Sequence, residues 1–107
     1  MYMKLLTAEL RAQIPPLYSQ EHLKLEERTV HAKFFFPAGN WTWFVTEGEQ
    51  DEDDFRMFGY VVGFEKEWGY FSLNELESID LNGLTVERDL YFNPGTFKEV
   101  MAREYGL

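Results

Sequence analysis

Apolar residues recur at helical spacing in the first stretch of the chain and at a period of two from Thr29 onward. In the first stretch Leu6, Leu10 and Ile14 share one helical face, and Thr7 is placed to cap a helix by accepting a first-turn N–H. The pattern predicts a helix over Thr7–Ile14. Pro15-Pro16 ends it, because proline lacks the donor and restricts the residue before it. Leu17 to Arg28 shows neither a clear period nor a cap and reads as irregular structure.

The alternation then takes over. Val30, Ala32, Phe34 and Phe36 alternate with Thr29, His31, Lys33 and Phe35, which is a strand pattern. Pro37-Ala38-Gly39-Asn40 is turn chemistry, and Trp41 to Thr46 reads as the returning strand. With those residues as the loop, Phe36 faces Trp41, Phe34 faces Trp43 and Ala32 faces Val45, all on one apolar side. The other side carries His31, Lys33, Phe35, Thr42, Phe44 and Thr46, a mixed surface. A third strand is expected over Phe55–Gly63 and a short fourth over Trp68–Phe71, with Glu65-Lys66-Glu67 at the turn. Ser72 and Glu75 form a capping-box pattern that opens a short helix to about Ile79. Thr85 to Phe92 reads as a fifth extended segment. A second capping box, Thr96 to Glu99, opens a closing helix with Phe97, Val100, Met101 and Tyr105 on one stripe and Gly106 as its stop. Strands clustered together, with no alternating helices, imply one α+β domain over 1–107. The expected architecture is an antiparallel sheet of four or five strands carrying N-terminal, short middle and C-terminal helices.

Composition narrows the function classes. The absence of cysteine excludes disulfides, thiolate metal sites and a cysteine nucleophile, which suits a reducing, cytoplasmic setting. The opening residues Met1 to Leu6 lack the apolar stretch of a signal peptide, and no window is apolar enough to span a bilayer. The net charge is −9, but Glu47, Glu49, Asp51, Glu52, Asp53 and Asp54 supply most of it from one short run, expected to be a solvated acidic loop. The basic residues are scattered singly, which disfavours direct nucleic-acid binding.

Several strings, among them Gly39-Asn40-Trp41-Thr42-Trp43 and Glu67-Trp68-Gly69-Tyr70-Phe71-Ser72, resemble a family of short bacterial proteins catalogued only as a domain of unknown function. The likeness extends to Ile14-Pro15-Pro16-Leu17-Tyr18, His31 to Phe35, Phe58 to Val61 and Glu87 to Phe92, and so covers nearly the whole chain. The resemblance implies a setting in bacterial, plasmid and other mobile-element genomes, and it transfers no functional residue.

Candidate chemistry is sparse. His22 and His31 have no metal-ligand spacing, and the Asp51 to Asp54 run lacks the glycine of a calcium loop, so no metal or cofactor is expected. No nucleophile stands beside a base, and no catalytic residue is assigned. Glu65 and Glu67 read as exposed turn charges. Arg88 is singled out because Val86 and Leu90 flank it on one side of a strand, where a charge needs a partner or a ligand. The candidate binding residues are therefore His31, Lys33, Phe35, Phe44 and Arg88, beside the acidic run. The favoured reading is a non-enzymatic module that binds another protein through its aromatic-rich sheet or acidic loop. The alternatives are an acidic mimic of nucleic acid, and a small-molecule binder or minor enzyme with Arg88 as anion anchor.

Overall fold

A computed structural model of the chain describes residues 4–107, so Met1 to Met3 of the opening stretch lie outside the described residues. Helix α1 (Ala8–Gln13) begins where expected, with the Thr7 hydroxyl accepting the Leu10 N–H at 3.1 Å, and it ends ahead of Pro15. After turns and a single 3-10 turn at Leu25–Glu27 come β1 (Thr29–Val30), β2 (Ala32–Phe35), β3 (Thr42–Asp51), β4 (Asp54–Val62) and β5 (Lys66–Ser72). The chain closes with α2 (Leu73–Glu77), β6 (Asp80–Leu81), β7 (Leu84–Thr85), β8 (Glu87–Arg88), β9 (Gly95–Thr96) and α3 (Phe97–Tyr105). The α+β class is as the alternation implied. One five-stranded antiparallel sheet has the order β5-β4-β3-β2-β8, while β1 pairs with β9 and β6 with β7 as separate ribbons.

The first hairpin has the expected register. Ala32 lies opposite Val45 and Phe34 opposite Trp43, and the Phe36 N–H donates to the Trp41 carbonyl at 2.9 Å. These residues join Leu5, Leu10, Met57, Phe71 and Leu76 in the larger core, beneath α1 and α2. The opposite face holds a smaller core of Val30, Phe44, Val100 and Met101, beneath α3. Both ends of α3 are capped as predicted, with reciprocal Thr96–Glu99 bonds at its start and a left-handed Gly106 (φ 71°) at its end. Ser72 accepts from the Glu75 N–H at 3.2 Å, which is the first half of the capping box expected there.

The acidic run is not a loop. Glu47 to Asp51 complete β3, Asp54 opens β4, and only Glu52-Asp53 turn the chain, with Glu52 in the left-handed region (φ 54°). The reason is a β-bulge between Val45 and Glu47. Strict alternation from Trp43 and Val45 would aim Glu47, Glu49 and Asp51 into the larger core. One extra residue, Thr46, flips every later side chain to the other side of the sheet. There Glu47 lies opposite Phe58, and Glu49 opposite Arg56 as a cross-strand pair of opposite charge. Gly59 sits opposite the bulge, where a Cβ would stand 1.8 Å from the Phe44 carbonyl oxygen.

Two further expectations change. Lys66 and Glu67 belong to β5, and the turn before it is tighter, closed by the Gly63 N–H on the Glu65 carbonyl at 2.9 Å. The extended segment expected over Thr85–Phe92 breaks after Arg88, because the Asp89 carboxylate accepts the Tyr91 N–H at 2.9 Å and so forms a side-chain turn. Leu90 and Tyr91 are consequently exposed.

Phe44 is fully buried beneath α3, with its ring edge-to-face to Tyr105 at 6.2 Å. Phe44→Ala is expected to lower the free energy of unfolding by about 3–5 kcal/mol. Denaturant unfolding checks this, and a loss below about 0.5 kcal/mol would contradict the packing of α3 on the sheet.

Candidate functional site

Three of the residues singled out from the sequence meet in one place: His31, Lys33 and Arg88 line a cleft of about 380 Å³ between α1 and the β2–β8 side of the sheet. The Arg88 guanidinium donates to the Thr7 hydroxyl at 3.3 Å, which ties β8 to the cap of α1. Lys33 donates to both Glu104 carboxylate oxygens at 3.0 and 3.1 Å and lies 3.6 Å from Asp89. Its charge is therefore spent in fixing the last turn of α3 to the sheet. His31 is half-buried, and that burial lowers its pKa below the ordinary value, keeping the ring neutral near pH 7. Phe35 is half-buried in the β2 ladder between Thr42 and Glu87, and Phe44 is core. These last residues do not join the cleft.

The acidic residues divide in the same way. The buried Glu47 carboxylate accepts the Tyr18 N–H at 3.1 Å and the Gln20 N–H at 2.7 Å, and Glu49 accepts the Leu17 N–H at 3.1 Å. Asp54 accepts from the Phe55 and Asn74 N–H groups. Desolvation raises the Asp54 pKa, but the hydrogen bonds from Asn74, Ser72 and Phe55 outweigh it and hold the carboxyl below its ordinary range. Asp51, Glu52 and Asp53 remain at the exposed hairpin tip. Among the described residues no group of three His, Asp or Glu side chains is arranged to hold a metal ion.

A second surface was missed from the sequence. The β4–β5 register sets Arg56 opposite Ser72, Phe58 opposite Tyr70 and Tyr60 opposite Trp68, which places these side chains together on the α3 side of the sheet. Phe97 of α3 covers Tyr60 and Trp68, at ring separations of 4.8 and 4.7 Å. Phe58 and Tyr70 continue this row of rings toward Ser72. Tyr70 is 45% exposed and Tyr18 60% exposed. The neighbouring Tyr18 side chain, with desolvation, raises the Tyr70 pKa. The Arg56 guanidinium lies 4.5 Å from the centre of the Tyr70 ring, and Arg28 lies 5.9 Å from that of Phe58. The period-two order Arg56, Phe58, Tyr60 and Lys66, Trp68, Tyr70 was readable, but aromatic residues in strands read first as core.

The fold and this face define a small α+β domain built on one antiparallel sheet, with one sheet face only half covered. The chain belongs to the family described as Protein of unknown function (DUF2958), whose model matches residues 5–103, as the recurring strings implied. No curated protein and no solved structure matches it. Among the described residues no helix is long and apolar enough to cross a membrane.

The lowered pKa of His31 has a defined sign. Above about pH 7 the ring is neutral whether the chain is folded or unfolded. As pH falls through about 6.5 the unfolded chain takes up a proton that the folded ring resists, so stability falls toward acid. His31→Gln should flatten the decline in stability between about pH 7 and pH 5, as read by urea unfolding at each pH. An unchanged slope would contradict the burial of the ring.

Proposed function

We propose that this domain is a non-enzymatic interaction module of the cytoplasm that binds another protein through the open half of its sheet. One observation carries the reading: Phe58, Trp68 and Tyr70 lie together beside Arg56 and Arg28, on a face that no element among the described residues fully covers. Trp, Tyr and Arg are the residue types that concentrate binding energy at protein interfaces, because each presents a large, stiff contact area with a polar handle. The alternatives are less well supported. Lys33 beside Arg88 is already neutralised by Glu104 and Asp89, which weakens the cleft as an anion anchor. Glu47, Glu49 and Asp54 are engaged by backbone N–H groups, which leaves only Asp51, Glu52 and Asp53 of the acidic run for mimicry of a phosphate backbone. An accessory role in a mobile element fits a protein that acts by binding.

The test compares capture of partners from the source organism's cytosol by the wild type, Tyr70→Ala, Arg56→Ala and a variant with Glu52-Asp53 replaced by Asn-Gly. Thermal unfolding checks that each variant folds. Proteins retained by the turn variant and lost with Tyr70→Ala, at about 1 kcal/mol or more of binding energy, are the expected result. Capture that survives both face substitutions and fails with the altered turn would favour electrostatic mimicry instead.

A further inference from the structure

Where α2 meets the β2–β3 hairpin, the larger core is open. A pocket of about 440 Å³ lies there, lined by Phe36, Trp41, Trp43, Glu75, Leu76 and Ile79. Trp43 and Leu76 are buried, while Phe36, Trp41 and Ile79 are only partly so. Trp41 is held by its neighbours. Its ring stacks on Trp43 at 5.9 Å and meets the ring of Phe64 edge-on at 5.4 Å. A Cβ at Gly63 would come within 2.3 Å of the Trp41 ring, so glycine is what admits the indole against the β4–β5 turn. Of the residues on this lining only Glu75 is charged. It stands where a capping-box glutamate would, but no bond from its carboxylate to the Ser72 N–H is present among the described residues, in contrast to Glu99 on Thr96 in α3. Nor does an ion pair among the described residues engage it. Away from the pocket Glu75 borders Asp51, Asp54 and Arg56, whose guanidinium lies over Tyr70. With three carboxylates to one cation, the rim is acidic.

We infer that this pocket binds a small organic cation that carries a trimethylammonium group. The inference stands apart from the open-face reading, because the pocket belongs to the α2 side of the sheet and the open face to the α3 side. Two indoles and a phenyl ring attract a cation through their ring quadrupoles, indole most strongly, and the Glu75 carboxylate adds charge of the matching sign. An unmodified ammonium suits the lining poorly. It brings three N–H donors, and the lining offers one acceptor side chain, Glu75, since indole only donates and the remaining side chains do neither. A trimethylammonium group has no donor to satisfy, and its methyl groups would pack against the rings and against Leu76 and Ile79. An anion would meet the acidic rim, and a neutral apolar molecule would gain nothing from Glu75. The volume falls in the range of small-ligand sites, about 300–1,000 Å³, which favours a whole small molecule over one side chain of a partner protein.

The test titrates the full chain with choline and with 3,3-dimethylbutan-1-ol, the neutral molecule of the same shape, and follows the indole Nε1–H signals by NMR. Trp68 packs on Phe97 of α3, on the other side of the sheet, and serves as the internal control. Expected are saturable shifts of the Trp41 and Trp43 signals with Trp68 unmoved, and binding of the neutral isostere about tenfold weaker. Trp41→Leu should abolish the choline-dependent shift at Trp43, with thermal unfolding as the check that the variant folds. Glu75→Gln, at an exposed helix position whose cap uses only the backbone N–H, keeps the test open if Trp41→Leu fails to fold, and should weaken choline binding several-fold. Equal binding of choline and its neutral isostere would overturn cation selection. Unchanged binding by Glu75→Gln, shifts at Trp68 alone, or no saturable shift with choline would overturn the site. Tighter binding of a peptide bearing trimethyl-lysine than of choline would overturn the choice of a free small molecule.

Discussion

A carboxylate buried at Glu47 governs everything on the open side of the sheet. An ionised carboxylate out of water is costly unless hydrogen bonds replace its hydration, and here the Tyr18 and Gln20 N–H groups do so. The two bonds fasten the irregular segment after Pro16 onto the sheet. Gln20 completes the clasp, donating to the Thr46 and Thr29 carbonyls and accepting the Thr29 N–H. Tyr18 is held in the left-handed region (φ 70°), a conformation that costs a residue with a side chain about 1–2 kcal/mol and that the flanking bonds sustain. From there its side chain comes close enough to Tyr70 to raise that residue's pKa. The bulge at Thr46 is what delivers Glu47 to this side, so backbone irregularity, buried charge and exposed aromatic face form one causal chain.

Local rules made much of the fold legible. The Thr7, Ser72 and Thr96 caps, the Phe34–Trp43 register and the stop at Gly106 each follow from a few neighbouring residues, and each is present. The acidic run was misread because a bulge leaves little trace in composition, and six acids within eight residues read as solvent. In the structure their alternation is strand-like, and backbone N–H groups from a distant segment neutralise the inner ones. The break at Asp89 was likewise hidden, since it depends on a side chain turning back on its own backbone. Arg88, Lys33 and His31 were singled out one by one from their local patterns. Their meeting in one cleft depends on β8 pairing with β2 across more than fifty residues of sequence, which no local pattern encodes.

Net charge misleads about this molecule. Its acids are concentrated at a hairpin tip and along helical and turn segments, while Arg28 and Arg56 lie over the aromatic rings of β4 and β5 and Lys66 over Tyr105 of α3. Fields are screened over about 8 Å at physiological ionic strength, so an approaching segment responds to the nearest charges more than to the total. The stacked rings of Phe58 and Trp68 and the guanidinium groups of Arg28 and Arg56 lie together on the β4–β5 half of the sheet.

The most direct check on this account is amide hydrogen exchange at Tyr18 and Gln20, in the wild type and in Glu47→Ala. The account predicts slow exchange at both amides in the wild type. In the variant both should exchange as an open segment while the Phe44 and Val45 amides of β3 stay protected. Fast exchange at Tyr18 and Gln20 in the wild type, or protection that survives removal of the carboxylate, would contradict it.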